Sequence, residues 1–147
     1  MKRLLIVLFI LAFALPSFAD EWDKQVIFFS LGDTIAAATS TSGIVRFPQI
    51  GKIDTIYVTD QAGVASAATD FLTLTCYLNG AAYGSMVTNG AVATGVTLVA
   101  NTPKLFTPTA KLIAAGDVLQ FRLTKDGAGT ATDGLGVSVS FFNTSSR

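Results

Sequence analysis

The chain has 147 residues, of which half are hydrophobic, and its ten basic and ten acidic side chains give no formal net charge. Charged residues make up 14% of the chain, against roughly a quarter in ordinary soluble domains. This sparse, balanced charge argues against electrostatic capture of nucleic acid or of anionic lipid. The sequence contains no histidine, which removes the usual general base at neutral pH and the usual zinc ligand.

Residues 1–19 have the pattern of an export signal. Lys2 and Arg3 form a basic start, and an unbroken apolar run follows. Ser17 and Ala19 then provide small residues at the positions that signal peptidase recognises before its cleavage site. The apolar stretch is shorter than the roughly 20 residues that span a bilayer. We therefore predict cleavage after Ala19, a secreted or extracytoplasmic location at a cell or virion surface, and no stable membrane span after cleavage.

The remaining residues, 20–147, are predicted to form one domain. Loss of Lys2 and Arg3 leaves eight basic against ten acidic side chains, a formal net charge of −2. Apolar and polar residues alternate with a period of two in segments that are separated by Gly, Asn and Asp residues. This pattern indicates strands rather than helices. About eight strands are expected, or nine if the short fifth one pairs: Gln25 to Leu31, Gly43 to Gln49, Lys52 to Thr59, Asp70 to Asn79, Ala82 to Val87, Val92 to Val99, Lys104 to Lys111, Asp117 to Lys125 and Leu135 to Asn143.

Two Asn-Gly pairs predict tight hairpins, because both central positions of such a turn need positive φ. Asn79-Gly80 and Asn89-Gly90 would join three successive strands into a meander. Short, regularly spaced strands without helices predict an all-β fold of two packed antiparallel sheets. We expect a β-sandwich with jelly-roll topology, and prefer it to an immunoglobulin-like one because the Cys…Trp…Cys signature is missing.

Alternation also assigns the inward side chains of three strands. Cys76, the only cysteine, alternates with Leu72, Leu74 and Leu78, so we expect a buried, unpaired thiol. The same argument predicts core positions along the last two strands, with Gln120 and Arg122 outside: Leu119, Phe121, Leu123, Leu135, Val137, Val139 and Phe141.

An enzyme built on this chain would have to work with carboxylates alone. A glycoside hydrolase with two acidic side chains is the class that survives. The aspartates mostly lie at strand ends beside Gly, Thr or Ala, where this residue commonly caps turns. We therefore predict no catalytic residue, no enzymatic activity and no cofactor.

Two further site types are considered and not preferred. Asp126 and Asp133 bracket a Gly/Thr/Ala loop and are the only candidates for a calcium site, but their spacing matches no calcium-loop signature, and a flexible hairpin is favoured. Asn143 begins an Asn-Thr-Ser glycosylation pattern, which matters only in a eukaryotic host.

Three large aromatic side chains are predicted to point away from the core. Phe71 and Tyr77 share the Thr73 and Thr75 face of their strand, and Phe142 follows the core residue Phe141. Outward rings indicate a subunit contact, a cover beneath a loop, or a platform for sugar stacking. We name Phe71, Tyr77 and Phe142 as candidate interface residues of a homo-oligomer. By analogy with jelly rolls, we expect this oligomer to be a trimer.

The second half of the chain resembles the small jelly-roll domains of tailed-phage virion accessory proteins. The resemblance lies in the segment Ala114 to Leu123, the following Gly/Thr/Ala loop and the segment Gly134 to Phe141; Gly32 to Ile35 and Lys52 to Val58 are compatible with it. Such domains decorate capsids or fibres, usually as oligomers and without catalysis. An export signal departs from that pattern.

Three functions follow from the sequence, in order of preference. The first is a non-enzymatic, exported β-sandwich that self-associates or coats a cell or particle surface. The second is a carbohydrate-binding module that contacts a surface glycan, and the third is a carboxylate-only glycoside hydrolase. Exposed aromatic side chains beside polar groups favour the second function, whereas an apolar patch repeated across a symmetry axis favours the first.

Overall fold

The computed structural model describes residues 24–32, 41–106, 112–127 and 131–143. The predicted export signal at residues 1–19 lies outside them. Within the described residues the chain forms strands and turns, and contains no helix that is long and apolar enough to cross a membrane. The strands are β1 (Lys24–Gly32), β2 (Thr41–Arg46), β3 (Gly51–Thr59), β4 (Phe71–Leu78), β5 (Ala81–Val87), β6 (Lys104–Phe106), β7 (Leu112–Ile113), β8 (Val118–Asp126) and β9 (Leu135–Asn143).

The strands form two antiparallel sheets with jelly-roll order. One five-stranded sheet runs β1-β9-β3-β6, with β7 also paired to β3, and one four-stranded sheet runs β2-β8-β4-β5. The pairs are nested along the chain: β4 pairs with β5, β3 with β6 and β7, β2 with β8, and β1 with β9. This is one long hairpin folded over on itself. The predicted all-β antiparallel sandwich and its jelly-roll topology are confirmed.

The core lies between the inward rows of the two sheets. Strand β8 buries alternate residues and leaves Arg122 exposed. Aromatic rings from both sheets meet there: the centroids of Phe47 and Phe141 are 5.0 Å apart in an edge-on arrangement, and those of Phe106 and Phe121 are 6.4 Å apart. The inward positions that alternation predicts on β4, β8 and β9 are buried, apart from the partly buried Leu78: Leu72, Leu74, Cys76, Leu119, Phe121, Leu123, Leu135, Val137, Val139 and Phe141.

The second predicted hairpin, at Asn89-Gly90, is wrong. The Asn89 side-chain oxygen accepts a hydrogen bond from the Ala91 N–H at 2.8 Å, and its backbone forms an isolated bridge with Ala67. Neither Asn89 nor Gly90 has positive φ. The asparagine therefore makes a turn through its own side chain, which is the alternative that asparagine offers to a hairpin.

The predicted strand Val92 to Val99 is also wrong. This segment belongs to the connection that crosses from β5 to the other sheet, and within it Leu98 makes only an isolated bridge, to Val64. Of its four large apolar side chains only Leu98 is fully buried, whereas Val92 and Val99 are exposed. Strand β6 is described over Lys104–Phe106, and the rest of the predicted strand, residues 107–111, lies outside the described residues; the short β7 was not predicted.

The first predicted hairpin is confirmed and is fastened to its neighbours. Asn79 and Gly80 have φ values of 51° and 82°, as a type I′ turn requires. The Asn79 side-chain oxygen accepts from the Val118 N–H at 2.9 Å, and its amide nitrogen donates to Asp117 Oδ1 at 2.8 Å. The other carboxylate oxygen of Asp117 accepts from the Ala114 N–H at 2.7 Å. One side chain thus ties the β4–β5 turn to the start of β8.

A buried aspartate has the same function at the other end of the sandwich. The Asp60 carboxylate accepts hydrogen bonds from the N–H groups of Gly63 at 2.7 Å, Ala62 at 3.1 Å and Asp133 at 3.2 Å. Its backbone carbonyl accepts from the Asn101 N–H at 2.8 Å. Three loops that are distant in sequence are therefore joined at Asp60.

Replacing Asn79 should separate the two contributions that this residue makes. We expect Asn79→Ala to lower the free energy of unfolding by about 2–3 kcal/mol, because it loses two side-chain hydrogen bonds and puts alanine, which tolerates the left-handed region less well than asparagine, at a φ of 51°. Asn79→Gly loses only the hydrogen bonds and should be less destabilised. Urea unfolding of both variants checks this, and equal stability of Asn79→Ala and the parent chain would contradict it.

The same turn should make stability depend on pH. The hydrogen bond from the Asn79 side chain, followed by that from the Ala114 N–H, lowers the pKa of Asp117. A carboxyl group whose folded pKa is depressed contributes stability above its unfolded pKa, and that contribution is lost as the pH falls through the folded pKa. We therefore expect the free energy of unfolding to fall more steeply below about pH 4 in the parent chain than in Asn79→Gly. Superimposable pH profiles would contradict the assignment.

Candidate functional site

The outer faces of the two sheets differ in chemistry. The face of the four-stranded sheet carries mainly threonine, serine, glutamine and arginine, with Ile44 as an exposed apolar exception. On the five-stranded sheet the outer face carries five of the nine exposed large hydrophobic side chains among the described residues: Val26, Phe28, Tyr57, Leu105 and Leu112. An antiparallel sheet usually has one solvated polar face, so this second apolar face is the candidate functional site.

Cross-strand pairing arranges this face around β9. Phe28 on β1 lies opposite Ser138 on β9, which lies opposite Tyr57 on β3, and Tyr57 in turn pairs with Leu105 on β6. Their exposed fractions are 78% for Phe28, 37% for Tyr57 and 51% for Leu105. Large side chains therefore stand on both sides of a small one.

The outward residues of β9 are all small along the middle of the face. Gly136, Ser138 and Ser140 follow one another at alternate positions, between the outward residues of β1 and β3. We call this row the β9 valley, and call Tyr57, Leu105 and Leu112 together the β3 ridge. Neighbouring strands are about 4.8 Å apart, so the backbones on either side of the valley are separated by about 10 Å.

One end of the valley widens into an open groove of about 420 Å³. Gly134, with φ of 61°, lies under the Gln61 side chain, since a β-carbon there would stand only 2.5 Å from Gln61 Nε2. The groove is therefore shaped partly by this glycine. Its lining residues are Phe28, Phe29, Ser30, Thr59, Gln61, Gly134, Gly136, Val137 and Ser138.

The other end of the valley is crossed by an ion pair. Lys24 Nζ lies 2.9 Å from Asp54 Oδ2 and 5.6 Å from the centroid of the Phe142 ring. Asp54 is the extra residue of a β-bulge, because Ile53 and Thr55 pair with consecutive residues of β9. Lys24 and Asp54 are thus paired within the chain, and Lys52 lies at the same end, also opposite Phe142.

The predicted interface residues do not lie on one surface. Phe142 is half-buried on the outer face of the five-stranded sheet, opposite Lys24 and Lys52. Phe71 and Tyr77 are half-buried on the four-stranded sheet, where the Arg122 guanidinium lies 4.9 Å from the Tyr77 ring centroid. Two sheets of a sandwich present opposite outer faces, so these three side chains form two separate surfaces.

Among the described residues the most exposed aromatic side chain is Phe28, which the sequence predictions did not include. It is followed by Phe29, which packs inward with its ring centroid 5.6 Å from that of Phe121. Adjacent Phe residues in a strand point to opposite faces, so one of them had to point outward. That signal was available in the sequence and would have placed a ring on the outer face of β1.

The calcium candidates lie in different surroundings. Asp126 Oδ2 accepts a hydrogen bond from the Thr73 hydroxyl at 3.3 Å, whereas the backbone of Asp133 is bound to Asp60 and Gln61. Among the described residues there is no group of three or more His, Cys, Asp or Glu side chains that could hold a metal ion. For the glycosylation pattern at Asn143, residues 144–145 lie outside the described part of the chain.

The predicted burial of Cys76 is confirmed. Its side chain is fully buried as a free thiol, and burial raises its pKa to about 12. Burial, and then the neighbouring Cys76, likewise raise the pKa of Tyr83 to about 12. The thiol therefore packs as a small hydrophobic group and stays protonated at neutral pH.

Thiol-labelling kinetics should report this burial directly. A disulfide reagent at pH 8 should modify Cys76 slowly in the folded protein and rapidly after denaturation in urea, because only the exposed thiolate reacts. Denatured protein provides the control for reagent activity. Fast labelling of the folded protein, or a covalent dimer that reduction separates, would show that Cys76 is accessible.

Neither a known protein family nor a curated protein sequence matches this chain. Solved structures with a similar arrangement include a structure of infectious bursal disease virus, Gt strain, with 15% identity and a TM-score of 0.34; the similarity covers 86% of this chain and 35% of the viral chain. Another is the carbohydrate-binding module CBM36 in complex with calcium and xylotriose, with 17% identity, a TM-score of 0.34, and coverage of 84% of this chain and 94% of that module.

Proposed function

We propose that the protein is an exported, non-enzymatic β-sandwich that self-associates into homo-oligomers and coats a cell or virion surface. The observation that carries the proposal is the apolar outer face of the five-stranded sheet, with Leu112 75% and Phe28 78% exposed. Monomeric soluble proteins rarely leave a large contiguous apolar patch in water. Export rests on the pattern of residues 1–19, and the virion alternative rests on the resemblance to phage accessory domains.

The chemistry of the acidic side chains supports a non-enzymatic role. The chain has no histidine. Asp54 is paired with Lys24, Asp117 accepts hydrogen bonds from Asn79 and Ala114, and Asp60 accepts three backbone N–H groups. These carboxylates are already engaged in holding strands and loops, which disfavours the carboxylate-only hydrolase.

The partner that best fits the β3 ridge is a second copy of this chain. Tyr57, Leu105 and Leu112 lie on the strands at one edge of the sheet, where Lys52, beside Leu112, and Asp54, paired with Lys24, are charged. In a two-fold contact, which would make a dimer in place of the trimer expected by analogy, each ridge meets its own copy, so apolar surface covers apolar surface without any need for opposite charges. Burial contributes about 25 cal/mol per Å², and Lys52 can extend its ammonium group to the rim.

Substitution of Leu112 should test this contact. We expect Leu112→Ser to lower the mass of the mature protein in sedimentation velocity, because it removes apolar surface from the ridge while leaving the core unchanged. Ile44→Ser is the matched control, since Ile44 is 62% exposed on the other sheet. Tyr77→Ser tests whether the four-stranded sheet contributes. A monomeric parent chain at high concentration, or equal loss of mass in Ile44→Ser, would contradict the proposal.

The second candidate function is carbohydrate binding. The groove at the end of the β9 valley favours it, because an exposed ring stands there beside hydroxyl and amide side chains. The groove adjoins β1, whereas the β3 ridge lies on the other side of β9, so the two functions use different parts of one face.

A further inference from the structure

We infer that the groove beside Phe28 is a subsite for one uncharged pyranose ring of a glycan chain. This inference rests on the second candidate function, carbohydrate binding, and does not depend on self-association.

Phe28 provides the stacking surface. Its side chain is 78% exposed, although it stands in the middle of a nine-residue strand. A pyranose ring has one face made mainly of C–H groups, which can pack on the electron-rich face of an aromatic ring. Such a contact removes apolar surface of both partners from water.

Polar side chains on the groove wall match the hydroxyl groups of a sugar. Ser30, Ser138 and Thr59 present hydroxyls that both donate and accept, and the Gln61 amide offers separate donors and an acceptor. A sugar hydroxyl also both donates and accepts hydrogen bonds, so these side chains can provide either the acceptor or the donor that it needs. A lining of one ring and a few convergent polar groups is typical of small-molecule sites.

The lining favours a neutral sugar over an acidic one. None of the nine residues that line the groove carries a formal charge. Lys24, at the far end of the valley, is already paired with Asp54. A carboxylate or sulfate group in the groove would lose water without gaining a cationic partner, which is costly.

The floor of the groove depends on Gly136. A β-carbon built at Gly136 has no neighbour closer than 3.6 Å, so a β-carbon fits there without moving the backbone. It would point outward between Ser30 and Thr59 and occupy the groove. The floor continues along β9 only as far as Ser138, because Ser140 is buried among its neighbours, so the groove holds a short stretch of glycan at this one subsite.

The experiment uses a glycan array that carries neutral oligosaccharides beside sialylated and sulfated ones, probed with the mature parent chain. We expect binding to neutral glycans. The strongest neutral glycan is then titrated calorimetrically against Phe28→Ala, which removes the ring, and Gly136→Val, which fills the floor. Each should weaken binding at least tenfold, whereas Ile44→Ala on the other sheet should bind as the parent does.

Several outcomes would overturn the inference: no glycan bound on the array, binding confined to sialylated or sulfated glycans, or unchanged affinity in both Phe28→Ala and Gly136→Val. Thermal unfolding of each variant verifies that the fold is retained. Sedimentation of the same samples keeps the two proposals separate. Leu112→Ser should lose mass and still bind the neutral glycan, and Phe28→Ala should lose glycan binding and keep its mass.

Discussion

Strand β9 is the element on which both the core and the surface of this protein depend. It is paired on both sides, with β1 and with β3, so its backbone position is fixed along nearly its whole length. Alternation then assigns large apolar residues, including Phe141, to the core, and Gly136, Ser138 and Ser140 to the outside. The same register that fills the core therefore leaves a depression on the outer face.

An apolar outer face on the five-stranded sheet explains the unusual composition of the chain. Charged residues make up only 14% of the chain, so few charged side chains are available for the outer faces of the two sheets. The four-stranded sheet has a mainly polar outer face, on which Phe71 and Tyr77 are half-buried and Ile44 is exposed. The five-stranded sheet has apolar side chains on both faces, and the arrangement is stable in water only if the outer residues are few or are covered. Self-association through the β3 ridge would provide that cover.

Much of the fold was predictable because it depends on local chemistry. The alternation of Leu72, Leu74 and Cys76 identifies the inward side of β4, and Asn79-Gly80 identifies the turn at the centre of the jelly roll. Asn89-Gly90 has the same two letters but turns through its side chain, because the following segment crosses to the other sheet. The alternation of apolar and polar residues shows on which face of its strand a side chain lies, but not which sheet the strand joins. For this reason the sequence places Tyr77 and Phe142 in one group, although they lie on different sheets.

We propose that the protein works through the outer face of its five-stranded sheet. Carbene footprinting of the mature protein, at low and high concentration and with a neutral glycan from the array, would show whether this face becomes covered. We expect reduced labelling of Leu105 and Leu112 at high concentration and of Phe28 with glycan, while Ile44 on the other sheet stays equally labelled. Protection of Ile44 and Tyr77, with unchanged labelling across the five-stranded sheet, would contradict it.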